Sequence, residues 1–297
     1  MPPPLVAVAH GSKDPRAAAT VTDLMALVRA RAHRGGLPGL RVLAAYLGHA
    51  LPSVPDVLDS LYRTRSPSPV PSGRPGGPPG PVSQEAGDRA AVVLPLLLTE
   101  AYHSDTDLPA VLHEVRSRLP RLRVSYGSPL GPHPGLLHAL DRRLAEARAP
   151  AVPDVPTASY NTGDTPTPAY SPAPADTAIV LAAAGSSRPA ANAAVARTAA
   201  AWQSARGWRA VVPAYASAAS PTPGEAVAAL LRAGAPRVAV ATYLLAPGVF
   251  ADQVREASLA AGAEAVSAAL GAAPEVADVV VERYLQAVSA AEAARAS

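Results

Sequence analysis

The stretch LVAVAHGSKDPR, Leu5–Arg16, returns 174 residues later as IVLAAAGSSRPA, Ile179–Ala190. Each copy runs five apolar residues into a Gly-Ser turn, with a proline at the same place beyond it. Such a run reads as a buried strand that ends in a turn at the start of a helix. Where the first copy has His10, the second has Ala184.

The match extends outward from there. RVLAAYLGHALPSVPDVLDSL (41–61) aligns without a gap to AVVPAYASAASPTPGEAVAAL (210–230), Tyr46 meeting Tyr215 and Pro52 meeting Pro221. LPLLLTEAYHSD (94–105) aligns to ATYLLAPGVFAD (241–252), and LGPHP (130–134) to LGAAP (270–274). The offset drops from 169 at Tyr46 to 147 at His103, as an insertion confined to the first copy requires. That insertion is RSPSPVPSGRPGGPPGPVSQEAGD (65–88), too rich in Pro, Gly and Ser to form a core and expected as a disordered surface loop. A second Pro/Ser/Thr-rich stretch, 149–176, reads as a linker. The chain is therefore a duplication of one α/β unit, 1–148 and 177–297, in keeping with a length of 297 residues.

Within the first copy the periodicity predicts strands at 5–9, 41–47, 90–98 and 122–126, alternating with helices at 17–32, 54–62, 108–119 and 134–147. Strand–helix alternation with short links predicts a parallel sheet flanked by helices in each unit. Aromatic residues are only 4% of the chain, so the cores must be built from Ala, Val and Leu.

Composition excludes several chemistries. With no cysteine there can be no disulfide, thiolate metal site or Cys nucleophile. The net charge of +3 is mild, and no basic run interleaved with aromatics calls for nucleic acid. MPPPLVAVAH lacks a basic n-region and a cleavage site, and no apolar run is long enough for a bilayer, so a cytoplasmic protein is expected.

The duplication acts as an internal control on function. Glycines, prolines and the tyrosine persist in both copies, whereas His10, His103 and His133 meet Ala184, Phe250 and Ala273. Ligands of open parallel sheets bind beyond the carboxyl ends of the strands. His10 follows the first strand and His103 the third, which places both on one rim. Two imidazoles there suit iron, cobalt or nickel and can accept protons near neutral pH.

AHGSKDPRAA, YHSDTDLP (102–109) and LGPHP (130–134) resemble the sirohydrochlorin chelatase family, the CbiX type of type II chelatase. The resemblance covers the whole chain, as two tandem chelatase-like domains with a degenerate second copy. It implies ATP-independent insertion of Fe²⁺, Co²⁺ or Ni²⁺ into sirohydrochlorin, for sirohaem or cobalamin. His10 and His103 would be the catalytic, metal-contacting residues, and the metal is a substrate rather than a resident cofactor. Iron is the preferred metal, since nothing cobalt-specific is present. The expected substrate contacts are Ser12, Lys13, Arg16, Tyr46, Glu100, His133 and Arg188, where cations and helix-start N–H groups would meet the carboxylates of the tetrapyrrole. A fused duplication also favours a monomer. In the family's acidic pattern after strand two, this chain has Gly48 and Leu51. His49 either replaces those acids as a metal contact or faces solvent, and Glu100 either supplies a carboxylate or is a loop residue. Asp105 and Asp107 read as first-turn acids of the third helix. Two rival readings are a non-catalytic metal or tetrapyrrole carrier and a histidine phosphatase. The second would need an Arg before the His-Gly, where this chain has Ala9.

Overall fold

The computed structural model describes residues 1–64, 89–99, 108–149 and 174–296. The insertion at 65–88, most of the linker, Glu100, His103, Asp105 and Asp107 lie outside them.

The first sheet contains β1 (Leu5–Ala9), β2 (Val42–Tyr46), β3 (Arg89–Pro95) and β4 (Leu122–Tyr126), in the order β2-β1-β3-β4 and all parallel. The second contains β5 (Thr177–Ala183), β6 (Ala210–Tyr215), β7 (Arg237–Tyr243) and a two-residue β8 (Ala265–Val266), in the matching order β6-β5-β7-β8. Helices α1 (Pro15–Arg34), α2 (Val54–Thr64), α3 (Leu108–Arg118) and α4 (Pro134–Arg148) belong in sequence to the first copy. Those of the second are α5 (Pro189–Arg206), α6 (Pro223–Arg232), α7 (Val249–Ala260) and α8 (Pro274–Ala296).

Local chemistry explains the boundaries. Proline opens α1, α4, α5 and α6, where its missing N–H costs nothing. Asp14 caps α1 by accepting the Arg16 N–H, and Thr222 with Glu225 forms a reciprocal capping box on α6. β3 ends at Pro95, before the predicted Leu98. Beyond it the Leu97 carbonyl accepts the Leu130 N–H and the Leu98 carbonyl accepts from the other lobe.

The duplication is visible in its turns. Gly11 and Gly185 have φ of +91° and +85°. The Gly48 N–H donates to the His10 carbonyl at 3.1 Å, and the Ser217 N–H to the Ala184 carbonyl at 2.9 Å. At the following position, His49 and Ala218 have nearly equal positive φ, 58° and 59°.

One arrangement was not predicted from the sequence. Each lobe's last helix packs on the other lobe's sheet: α4 lies against β7 and β8, and α8 against β3 and β4, beside α1. On α4, Asp141 accepts from Trp202 Nε1 at 2.9 Å and from Arg206 Nε at 2.7 Å, both on α5. On α8, the Tyr284 hydroxyl donates to the Pro3 carbonyl at 2.8 Å, and Asp278 meets Arg31 at 3.4 Å. A single apolar core thus runs through both lobes. It includes Leu5 and Ala7 of β1, Leu24 and Val28 of α1, Leu136 and Leu140 of α4, Ile179 and Leu181 of β5, and Val276, Val280 and Tyr284 of α8. The outer sheet faces carry separate clusters under α2/α3 and α6/α7. Burying side chains of this size contributes roughly 1.5–3 kcal/mol each, so the exchanged helices bind the lobes tightly. Among the described residues, no helix is long and apolar enough to cross a membrane.

Candidate active site at the carboxyl rims

β1 lies between β2 and β3, so the chain direction across the sheet reverses there. The crevice above this switch point is where open α/β sheets bind ligands. His10, the first residue beyond β1, stands there and is exposed. The turn that holds it is tight. A β-carbon on Gly11 would overlap the Gly48 carbonyl oxygen and lie 2.8 Å from its carbon, and the positive φ disfavours a side chain as well. His49 sits on the same rim, exposed, three residues past β2, whose Tyr46 lies in register with Ala9.

The carboxyl ends of the two sheets adjoin. The Tyr243 hydroxyl, at the end of β7, donates to the Leu98 carbonyl beyond β3 at 3.1 Å. Burial holds that phenol well above its usual range. Arg16, in the first turn of α1, reaches Asp252 in the first turn of α7 at 2.6 Å. Hydrogen bonds to Asp14, then to Asp252, hold the guanidinium charged, and Arg16 in turn keeps Asp14 below the usual carboxylate range.

The remaining predicted residues divide by environment. Ser12 is half-buried, and its Oγ accepts the Asp14 N–H at 3.1 Å. Lys13 is exposed beside it. Arg188 is exposed at the matching turn of the second lobe, immediately before α5. Arg16 also lies at the rim, but its guanidinium is engaged by two carboxylates. Tyr46, expected to touch substrate, is only 6% exposed and lies in the shared core, as its counterpart Tyr215 does at 5%. His133 caps α4, its Nδ1 accepting the Gly135 N–H at 3.0 Å, while Nε2 meets Glu282 of α8 at 3.1 Å. Both ring nitrogens therefore join the exchanged helices. Glu100 and His103 lie outside the described residues. Sequence reasoning missed the Arg16–Asp252 and Tyr243–Leu98 links, since neither pair has any local signature. Among the described residues, no group of three or more His, Asp or Glu is placed to hold a metal ion. Among the described residues, His10 and His49 bring imidazoles to this rim.

The sequence pattern of one family, CbiX, matches residues 4–67, 83–147 and 178–287, most of the chain and both copies. The chain belongs to the CbiX family. A sirohydrochlorin cobaltochelatase of Priestia megaterium is 28% identical over 171 residues, 57% of this chain and 49% of that protein. A sirohydrochlorin ferrochelatase of Bacillus subtilis (strain 168) is 38% identical over 58 residues, 20% of this chain and 22% of that one. The matched stretches thus span half or less of these CbiX-like relatives. Among solved structures, SirB from Bacillus subtilis with Fe³⁺ aligns with 99% of this chain and 98% of its own at a TM-score of 0.71 and 20% identity. The cobalt complex of SirB from Bacillus subtilis subspecies spizizenii aligns at 0.68 and 18%. At these identities the likeness shows the two-lobed chelatase fold.

Proposed function

We propose that the chain is a sirohydrochlorin chelatase, exchanging the two inner pyrrole protons of sirohydrochlorin for one divalent metal ion without ATP. The observation that carries this reading is His10. An exposed imidazole stands at the switch point of the first sheet, held by the Gly11–Gly48 turn, while the same turn in the second lobe carries Ala184. Family membership supplies the substrate class, and the curated relatives carry cobalt and iron in their names.

In this reading the metal is a substrate. A neutral imidazole at His10 can hold Fe²⁺, Co²⁺ or Ni²⁺ loosely enough to release it, and can take a proton from the macrocycle. Each turnover releases two protons and leaves the metal with four ring nitrogens. His103 is the second imidazole assigned by the sequence. In this reading Lys13, Ser12 and Arg188 meet carboxylates of the substrate, a role their position at the two rims supports. Iron, on the sirohaem route, remains the preferred metal, acting in a monomer in the cytoplasm.

The test is an anaerobic assay with sirohydrochlorin and each of the three metals, read from the absorption spectrum of the metallated product. Catalysed insertion above the protein-free rate is expected. Tight binding of sirohydrochlorin without faster insertion would favour a tetrapyrrole carrier.

A further inference from the structure

The second lobe carries apolar residues at the positions where the first carries imidazoles. Ala184 takes the place of His10, and Phe250, the single phenylalanine of the chain, that of His103. Phe250 lies in the first turn of α7, in one i, i+4 row with Val254 and Ser258. Those two are buried against the second sheet, at 1% and 0% exposure, whereas Phe250 is 45% exposed. The row faces the sheet, so Phe250 is where it overruns the carboxyl ends of the strands. Helical side chains lean toward the N-terminus, which tips the ring further over that rim. The neighbouring Val249 is 66% exposed, and Leu51 on the first lobe's rim is 82% exposed. Two residues beyond Phe250, Asp252 grips Arg16 of α1, only six residues from His10. The first turn of α7, which carries Phe250, therefore adjoins the first turn of α1 where the two rims meet.

The exposed Phe250 and Val249 give this rim an apolar surface on which the flat face of a ligand can lie. We infer that Phe250 is the platform for one face of the tetrapyrrole macrocycle, with His10 addressing the ring from the other lobe. This rests on the chelatase reading above. It makes the second copy the substrate-holding half: its rim gives up imidazoles that would compete for the metal and gains a stacking surface. Aromatic rings favour offset stacking on other π-systems, and Phe250 gives specificity for a flat macrocycle rather than for its carboxylates.

The test measures binding of metal-free sirohydrochlorin to the full chain by the fluorescence anisotropy of the tetrapyrrole. Phe250→Ala is expected to weaken binding about tenfold, and Phe250→Trp to retain affinity with its indole emission quenched on binding. Leu259→Ala alters an apolar residue of the same helix with similar exposure, 43%, and is expected to bind as wild type. If wild type binds while Phe250→Ala binds equally well and the Trp variant is not quenched, the platform is refuted and the chelatase reading stands. If wild type does not bind sirohydrochlorin, both fall.

Discussion

Replacing Gly11 by alanine tests the turn on which the site is built. The backbone at Gly11 has φ +91°, and an added β-carbon would overlap the Gly48 carbonyl oxygen. Left-handed backbone costs a side chain about 1–2 kcal/mol. Relieving the overlap requires the β2–α2 turn to move, at about 1–3 kcal/mol by analogy with overpacked cores. That movement strains the Gly48 N–H bond to the His10 carbonyl, worth about 1 kcal/mol. Gly11→Ala should therefore lose about 3–6 kcal/mol, a large part of the 5–15 kcal/mol typical of a folded domain. Gly36→Ala isolates the backbone cost, since Gly36 has φ +83° with nothing near its β-position, and should lose only that, about 1–2 kcal/mol. Gly185→Ala meets the Ser217 carbonyl in the same way and should cost about as much as Gly11→Ala, yet leave the His10 turn intact. Urea unfolding followed by far-UV circular dichroism measures all three. A cost for Gly11→Ala within 1 kcal/mol of that for Gly36→Ala would refute the reasoning.

Three further outcomes are expected. Residues 1–149 expressed alone should lack a cooperative unfolding transition and bind a hydrophobic dye, because the first sheet loses α8 and α4 loses its seat on the second; a native-like transition in the fragment would contradict the helix exchange. Burial pushes the Tyr284 phenol up to about 12 from 10.0, so the folded state favours its neutral form. Its contribution is complete below pH 10 and lost between pH 10 and 12; Tyr284→Phe should show a flatter alkaline limb in denaturation against pH, and an unchanged limb would remove Tyr284 as its cause. Asp252→Asn breaks an exposed ion pair and should cost less than about 1 kcal/mol, falling further in high salt; a larger, salt-independent loss would mean that the Arg16 contact carries more than surface electrostatics.

Much of the fold was legible in the sequence. Continuous apolar runs located β1, β3 and β5, and the helix expected to start at Pro134 does so. The repeat itself, read at Tyr46/Tyr215 and Pro52/Pro221, matches the paired turns at Gly48 and Ser217. The helix exchange was not legible. The inner faces of both sheets are lined by Ala, Val and Leu alike, so the apolar stripe of α4 fits either, and periodicity does not name the sheet it will cover. Tyr46 illustrates the same limit: its position on the rim is readable, but its burial depends on α1 and the shared core. His133 directly precedes Pro134 at a helix start, a capping signal that the histidine count obscured. Arg16 and Asp252 are surface charges 236 residues apart, and only the fold brings them together. Phe250 left a trace in the i, i+4 row with Val254 and Ser258, which becomes informative once the end of the sheet is known.

The central claim is that the first lobe's imidazole performs the chemistry. It is tested most directly by the anaerobic rate of metal insertion into sirohydrochlorin, measured for wild type and His10→Ala at matched folded concentrations. Loss of a positioned proton acceptor and metal contact should lower the rate by about 10²–10⁴-fold. Tetrapyrrole binding should be largely kept, since the second lobe holds the ring. Insertion by His10→Ala at the wild-type rate would contradict the claim.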